Sequence, residues 1–176
     1  MNIEKIAKSV RNVPDFPIPG IQFKDVTTLF KDPEILQEIV DGLYEIYKNK
    51  GITKVVGIES RGFILGPLLA VRLNAGFIPI RKQGKLPATV FEESYKKEYG
   101  IDAIQIHRDA INSEDIVLLH DDLLATGGTM QAAVRLTKKF YPQKIYVNFL
   151  IELTDLKGRE GFPLDIQVES IIKYDI

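Results

Sequence analysis

The sequence predicts one α/β domain built on a largely parallel β-sheet, and three observations predict it. Short apolar runs at 55–58, 77–80, 116–119, 144–151 and 168–172 read as buried strands. Stretches with apolar residues at helical spacing fall between several of them. One strand runs directly into a glycine-rich turn that opens a helix. At 176 residues the chain fits a single domain spanning 1–176.

The elements follow in order. Met1 to Val13 alternates charge with isolated apolar residues and lacks the apolar core of a signal peptide. Asp32-Pro33 reads as an N-cap and first helical residue. Ile35, Ile39, Leu43 and Ile46 then form a helical stripe that closes near Lys50-Gly51. Val55 to Ile58 is a strand. Phe63 to Leu73, apolar nearly all round, predicts a buried helix stopped by Asn74-Ala75-Gly76. Phe77 to Ile80 is the next strand. Gly84 to Gly100 is polar and predicts a long exposed loop or loose hairpin, of the kind that is functional or mobile. Ala103 to His107 is its returning strand. Ile116 to Leu119 is a buried strand, and Met130, Ala133, Val134 and Phe140 mark the stripe of the following helix. Lys144 to Ile151 and Val168 to Ile172 supply the last two strands.

Composition narrows the function. Hydrophobic residues make up 45% and charged residues 27%, which are globular rather than disordered values. A net charge of -1 with no basic face argues against a nucleic-acid partner. The absence of cysteine excludes disulfides, thiolate metal sites and a cysteine nucleophile, and agrees with a cytoplasmic location. The longest nearly apolar run, Gly62 to Val71, is too short to span a bilayer and contains Pro67, so no membrane partner is expected. The two histidines show no zinc spacing.

The most informative segment is Ile116 to Met130, IVLLHDDLLATGGTM. An apolar strand meets two adjacent carboxylates, Asp121 and Asp122. The turn Ala125-Thr126-Gly127-Gly128-Thr129 then opens an amphipathic helix. Ligands of parallel sheets bind beyond the carboxyl ends of the strands. Glycines let the backbone approach a ligand closely. Free amides at a helix start favour an anion such as phosphate. Thr126 and Thr129 add hydroxyl donors, and the carboxylates can accept from sugar hydroxyls or help hold a divalent cation. The bland alternative is a helix N-cap turn with aspartates at a strand end. The turn is neither a P-loop nor a dinucleotide fingerprint.

With these residues in view, the segment DDLLATGGT and the strand before it resemble the phosphoribosyl diphosphate motif of the type I phosphoribosyltransferases, in the wording of those that act on adenine. PDFPIPGIQFKDVT (14–27), GIESRGFILG (57–66), IRKQGKLP (80–87), SYKKEYG (94–100) and ELTDLKGRE (152–160) agree with that family in the same order. The resemblance implies the type I fold, with a small N-terminal hood over residues 1–30 and a flexible catalytic loop over 84–105. It implies transfer of the phosphoribosyl group to adenine, giving AMP and diphosphate, with Mg²⁺ as cofactor and a homodimer as the assembly.

It also distributes roles. Ala125, Thr126, Gly127, Gly128 and Thr129 bind the 5′-phosphate, while Asp121 and Asp122 flank the ribose hydroxyls. Glu59-Ser60-Arg61-Gly62 matches the loop that meets the diphosphate, and Arg81, Lys82 and Lys85 form a second basic patch, Arg81 being presented across the dimer interface. Gln22, Phe23 and Lys24 read the base largely through the backbone, with Lys24 where many members carry Arg, and Leu123 packs on the base's other face. Glu98 and Tyr99, in the match to E-Y-G, are implied at proton transfer. His120 stands where the family usually has an aliphatic residue and receives no role. From the residues alone, Phe23 also reads as a core aromatic and the lysines as a solvated charge run. Two rivals stay open: the same transfer to hypoxanthine, guanine or xanthine, and a regulator that senses phosphoribosyl diphosphate on this fold.

Overall fold

The structure, a computed structural model, describes residues 1–96 and 100–175. Helix α1 (Ile3–Ser9) is capped by Asn2, whose side chain accepts from the Lys5 N–H. Strands β1 (Arg11–Pro14) and β2 (Gln22–Asp25) form a separate antiparallel hairpin. Two helices follow, α2 (Thr27–Phe30) and α3 (Pro33–Tyr47), and Asp32 caps α3 through the Glu34 and Ile35 N–H groups. The central unit is β3 (Lys54–Ile58), α4 (Gly62–Leu73) and β4 (Gly76–Lys82). An antiparallel hairpin, β5 (Val90–Lys96) and β6 (Ile101–His107), precedes β7 (Ile116–Leu124), α5 (Gly128–Lys138), β8 (Lys144–Leu153) and β9 (Gln167–Tyr174).

Seven strands make one sheet in the order β5-β6-β4-β3-β7-β8-β9. Every neighbouring pair from β4 to β9 is parallel, and β6 runs antiparallel to both β4 and β5. Strands covered on both faces read as continuous apolar runs. In β3, Val55, Val56 and Ile58 are almost wholly inaccessible, and β8 is buried over all but its first residue. Helices α1 to α4 cover one face, where Leu43, Leu65, Leu69 and Leu118 pack together. Helix α5 covers the other through Met130, Ala133 and Leu136.

Two expectations change, and for 84–100 the hairpin alternative is the one found. Strand β7 continues to Leu124 rather than ending at Leu119, because Asp121, Leu123 and Leu124 stay in register with β8. The two carboxylates therefore sit within a strand. The polar stretch 84–100 contains β5, which faces α5 on one side and solvent on the other, so only alternate residues needed to be apolar. Helix α4 is not buried all round: Ile64, Leu68 and Val71 are exposed, Val71 at 82%. Among the described residues no helix is long and apolar enough to cross a membrane.

Candidate active site

Three chain crossings meet at the carboxyl ends of β3 and β7. Helix α4 starts directly against the sheet because Gly62 carries no side chain; a Cβ there would lie 2.7 Å from the His120 carbonyl oxygen. That approach brings Arg61, the residue before the helix, over β7, where its Nε donates to Asp122 Oδ2. Asp122 is 3% exposed and pairs with a charge-assisted donor, as a buried carboxylate requires.

Among the described residues Asp121 forms no ion pair of its own, although the Arg61 charge acts on it. One of its oxygens accepts from the Asp122 N–H at 2.9 Å. Burial, then the charge of Asp122 beside it, hold its carboxyl well above the usual carboxylate range. Behind the pair lies His120, wholly buried, with Nδ1 2.9 Å from Asn148 Oδ1; burial pushes its pKa down.

Glu59, Ser60, Arg61, Lys82, Asp121 and Asp122 line one polar cavity of about 260 Å³. A second, more apolar cavity of about 430 Å³ is lined by Val13, Phe16, Phe23, Lys24, Asp25 and Arg61, among others. Arg61 borders both. Its guanidinium lies 5.8 Å from the Phe23 ring centre, and Phe16 meets Phe23 edge-on at 5.1 Å. The hairpin thus forms an aromatic wall beside the polar cavity.

The turn after β7 has the form an anion site needs. Gly127 takes φ +80°, and no side chain caps α5, so the first amides of the helix are left for an outside acceptor. Among the described residues neither Thr126 nor Thr129 engages its hydroxyl in an intramolecular hydrogen bond. Gly128 borders a third cavity, about 450 Å³, with Tyr95, Lys96, Gln131 and Arg135 under the β5–β6 hairpin. Glu93 of β5 clamps that hairpin to α5 through Arg135 at 2.8 Å and Lys139 at 2.9 Å.

The structure thus gathers Ser60, Arg61, Lys82, Asp121 and Asp122 around one cavity and Phe23 and Lys24 around its neighbour. Arg81 and Lys85 reach the first cavity through Glu59. Leu123 is half-buried and packs against the core of the α1–α4 face. Gln22 turns its side chain to Asn12, whose Nδ2 donates at 2.7 Å. Lys24 Nζ donates to Asn12 at 3.1 Å and lies 4.6 Å from the Tyr174 ring centre. Glu98 and Tyr99 lie outside the described residues.

Glu59, placed by the resemblance in the loop that meets the diphosphate, lines the polar cavity. One contributor was not singled out from the sequence: the segment after β8, where Gly158 packs so closely behind the turn that a Cβ would lie 2.1 Å from the Ala125 carbonyl oxygen. Arg159 locks it there, donating to both carboxylate oxygens of buried Glu152 at 2.9 and 2.5 Å. A glycine beside an arginine in ELTDLKGRE was the only available signal.

Known proteins share this arrangement. Residues 25–168 match the model of the phosphoribosyl transferase domain. Adenine phosphoribosyltransferase of Bacteroides thetaiotaomicron is 67% identical over 172 residues, covering 98% of each chain, and that of Phocaeicola vulgatus is 64% identical, covering 98% of this chain and 99% of its own. The crystal structure of adenine phosphoribosyltransferase from Rhodothermus marinus superposes with a TM-score of 0.92 at 49% identity, covering 98% of both chains. The Giardia lamblia enzyme, solved with 9-deazaadenine, gives 0.91 at 39% identity, covering 100% of this chain and 99% of its own. By sequence across nearly its whole length, and by fold, the chain belongs to the phosphoribosyltransferase family, among the adenine phosphoribosyltransferases.

Proposed function

We propose that this chain transfers the 5-phosphoribosyl group of phosphoribosyl diphosphate to adenine in purine salvage, releasing AMP and diphosphate. The observation that carries this reading is the pair of adjoining cavities that share Arg61, one polar and one walled by Phe16 and Phe23. A planar base and a phosphorylated sugar placed in them meet at the β7 carboxylates.

As diphosphate leaves, the anomeric carbon gains positive charge. Asp121 and Asp122 hold the ribose hydroxyls and tolerate that charge, while Arg61 and the basic segment 81–85 stabilise the leaving group. The turn 125–129 anchors the 5′-phosphate through its free amides and two hydroxyls. Mg²⁺ suits this site, because Asp121 and Asp122 set two adjacent carboxylates on the wall of the polar cavity. When bound it would offset charge on the diphosphate oxygens, held mainly by the substrate, with Asp121 and Asp122 as the nearby residues that would help hold it. The family resemblance implies that the segment 84–105 closes over the site, which would exclude water that hydrolyses the donor. Glu98, with Tyr99 beside it in sequence, handles the proton on the purine; that role rests on the E-Y-G resemblance.

The base is read by the main chain near Gln22 to Lys24. What supports this is that, among the described residues, β2 pairs with β1 alone, leaving its other edge without a strand partner, and that the side chains of Gln22 and Lys24 are engaged with Asn12. Adenine offers an N6 donor beside the N1 acceptor, and hypoxanthine reverses the pair. The wrong base leaves buried polar groups unpaired, each costing roughly 1–3 kcal/mol. Diphosphate release assayed with each purine base should favour adenine over hypoxanthine by on the order of 10⁴. Comparable catalytic efficiency with hypoxanthine would sink the adenine assignment. The homodimer belongs to the same reading; the exposed stripe Ile64, Leu68 and Val71 on α4 supports it, and light scattering that returns the monomer mass would remove it.

A further inference from the structure

The phosphate cavity contains a carboxylate with no part in the reaction just described. Glu59 follows β3 and continues its ladder, its N–H donating to the Ile80 carbonyl at 2.9 Å. The side chain is 10% exposed, and both oxygens are engaged. Oε1 accepts from Lys85 Nζ at 2.6 Å. Oε2 accepts from the Lys82 N–H at 3.0 Å and from Arg81 Nε at 3.3 Å. Arg81 also donates through Nη1 to the Lys85 carbonyl at 3.3 Å, so the donors form one connected cluster.

All three donors come from the basic segment 81–85, and they converge on a planar pair of oxygens at the wall of the polar cavity. Phosphate oxygens would take up the same donors. From this we propose that Glu59 is the resident counter-anion of the diphosphate site: its carboxylate holds Lys85 and the Lys82 N–H while the site is free, and yields them when diphosphate binds. This rests on the reading of the cavity as the diphosphate site.

The charges give the exchange a direction. Glu59 brings one negative charge, and diphosphate brings several, so diphosphate displaces the carboxylate where a weaker anion does not. The carboxylate stays beside the cluster, and its return lowers the barrier to product departure. The hold on Glu59 is firm: burial pushes its carboxyl up, yet the bonds from Lys85, the Lys82 N–H and Arg81 outweigh burial and keep its pKa at about 2. A mere brace would predict the opposite consequence, because removing it would let the cations drift and weaken phosphate binding.

Calorimetric titration of the full chain with inorganic diphosphate, with and without Mg²⁺, separates the two. Glu59→Gln keeps an acceptor but removes the competing charge. It should bind diphosphate up to about fivefold tighter, the loss of the half-exposed Lys85 pair, and product inhibition should tighten in step. Glu59→Asp, whose carboxylate falls back from Lys85, should lie between. In a Lys85→Gln background the gain from Glu59→Gln should shrink. Equal or weaker binding by Glu59→Gln overturns the proposal. If circular dichroism shows that variant unfolded, Glu59→Asp decides alone: tighter than wild type supports the exchange, equal or weaker ends it. Wild-type protein that binds no diphosphate in either condition overturns the phosphate reading of the cavity itself, a failure distinct from that of Glu59.

Discussion

The two walls of the polar cavity are built in opposite ways. The carboxylate wall and phosphate turn come from one continuous stretch, Asp121 to Thr129, and its geometry is largely local: a strand, a glycine at φ +80° and a helix start. The basic wall is assembled at a distance. Glu59 meets Arg81, Lys82 and Lys85 only because β3 pairs with β4 in the register that sets Ile58 opposite Ile80. A continuous wall carries its chemistry in its spacing, whereas an assembled wall depends on strand register. The contrast is incomplete, because the local turn leans on a remote prop. Gly158 touches it, and Arg159 and Glu152 hold Gly158 in place.

The largest effect should come from breaking that prop. Glu152 is 5% exposed, and Arg159 spends its guanidinium on Glu152, the Val168 carbonyl and Ser170. Glu152→Gln leaves a partly buried guanidinium short of an anion. The cost should be about 2–3 kcal/mol, discounted from a fully buried pair because Arg159 is partly exposed. For a chain of this size the melting temperature should fall by roughly 5–10 °C. The Michaelis constant for the sugar donor should rise several-fold at temperatures where the variant is folded. A lower melting temperature with unchanged donor kinetics would show that the turn is self-supporting, and the two walls would then differ completely.

The same contrast explains what could be read in the sequence. The five parallel strands, α3, α4 and α5 were legible because burial on both sheet faces or on one helix stripe leaves an apolar pattern. Strand β5 was not, because its inward row is Phe91, Glu93 and Tyr95, and Glu93 is satisfied by Arg135 and Lys139 of α5 rather than by apolar neighbours. Helix α1 was hidden because it buries only Ile6. Within the site, Asp121, Asp122 and the turn were identifiable from spacing and residue chemistry. Arg61, Lys82 and Phe23 came through the family resemblance. Glu59 came only as part of the loop matched to the diphosphate, since no local pattern marks the partners of a carboxylate when they lie more than twenty positions away. The exposed face of α4 was misread because an all-apolar helix sequence says nothing of which side is covered.

An intermediate effect is expected within the continuous wall. Asp121 has its carboxyl pushed up by burial and by Asp122. A group whose pKa is raised on folding contributes stability below its unfolded value, near 3.8, and loses it as pH rises through the folded value. Asp121→Asn removes that loss. The variant should therefore melt above wild type at pH 7.5, with the gap closing as pH falls towards 4. Its catalytic efficiency should drop by at least about tenfold, because a charged acceptor is lost from the ribose and cation site. A melting difference that is constant with pH would show that Asp121 is not held up.

The smallest effect is expected at Lys24, and it tests whether the base cavity belongs with the local or the assembled kind of wall. The side chain reaches Asn12 at 3.1 Å and the Tyr174 ring at 4.6 Å, so it links the hairpin to the end of β9. A hydrogen bond and an exposed cation–π contact of this kind are each worth no more than about 1 kcal/mol. Lys24→Ala should therefore lower the melting temperature only slightly. If the main chain of β2 reads the base, the ratio of catalytic efficiencies for adenine and hypoxanthine should change by less than about threefold, since a tenfold change needs about 1.4 kcal/mol of differential contact. A collapse of that ratio in a variant that melts near wild type would transfer base recognition to the lysine side chain. The base cavity would then be an assembled site like the basic wall, dependent on Asn12 and Tyr174 to aim Lys24, and the other edge of β2 would be left without a function.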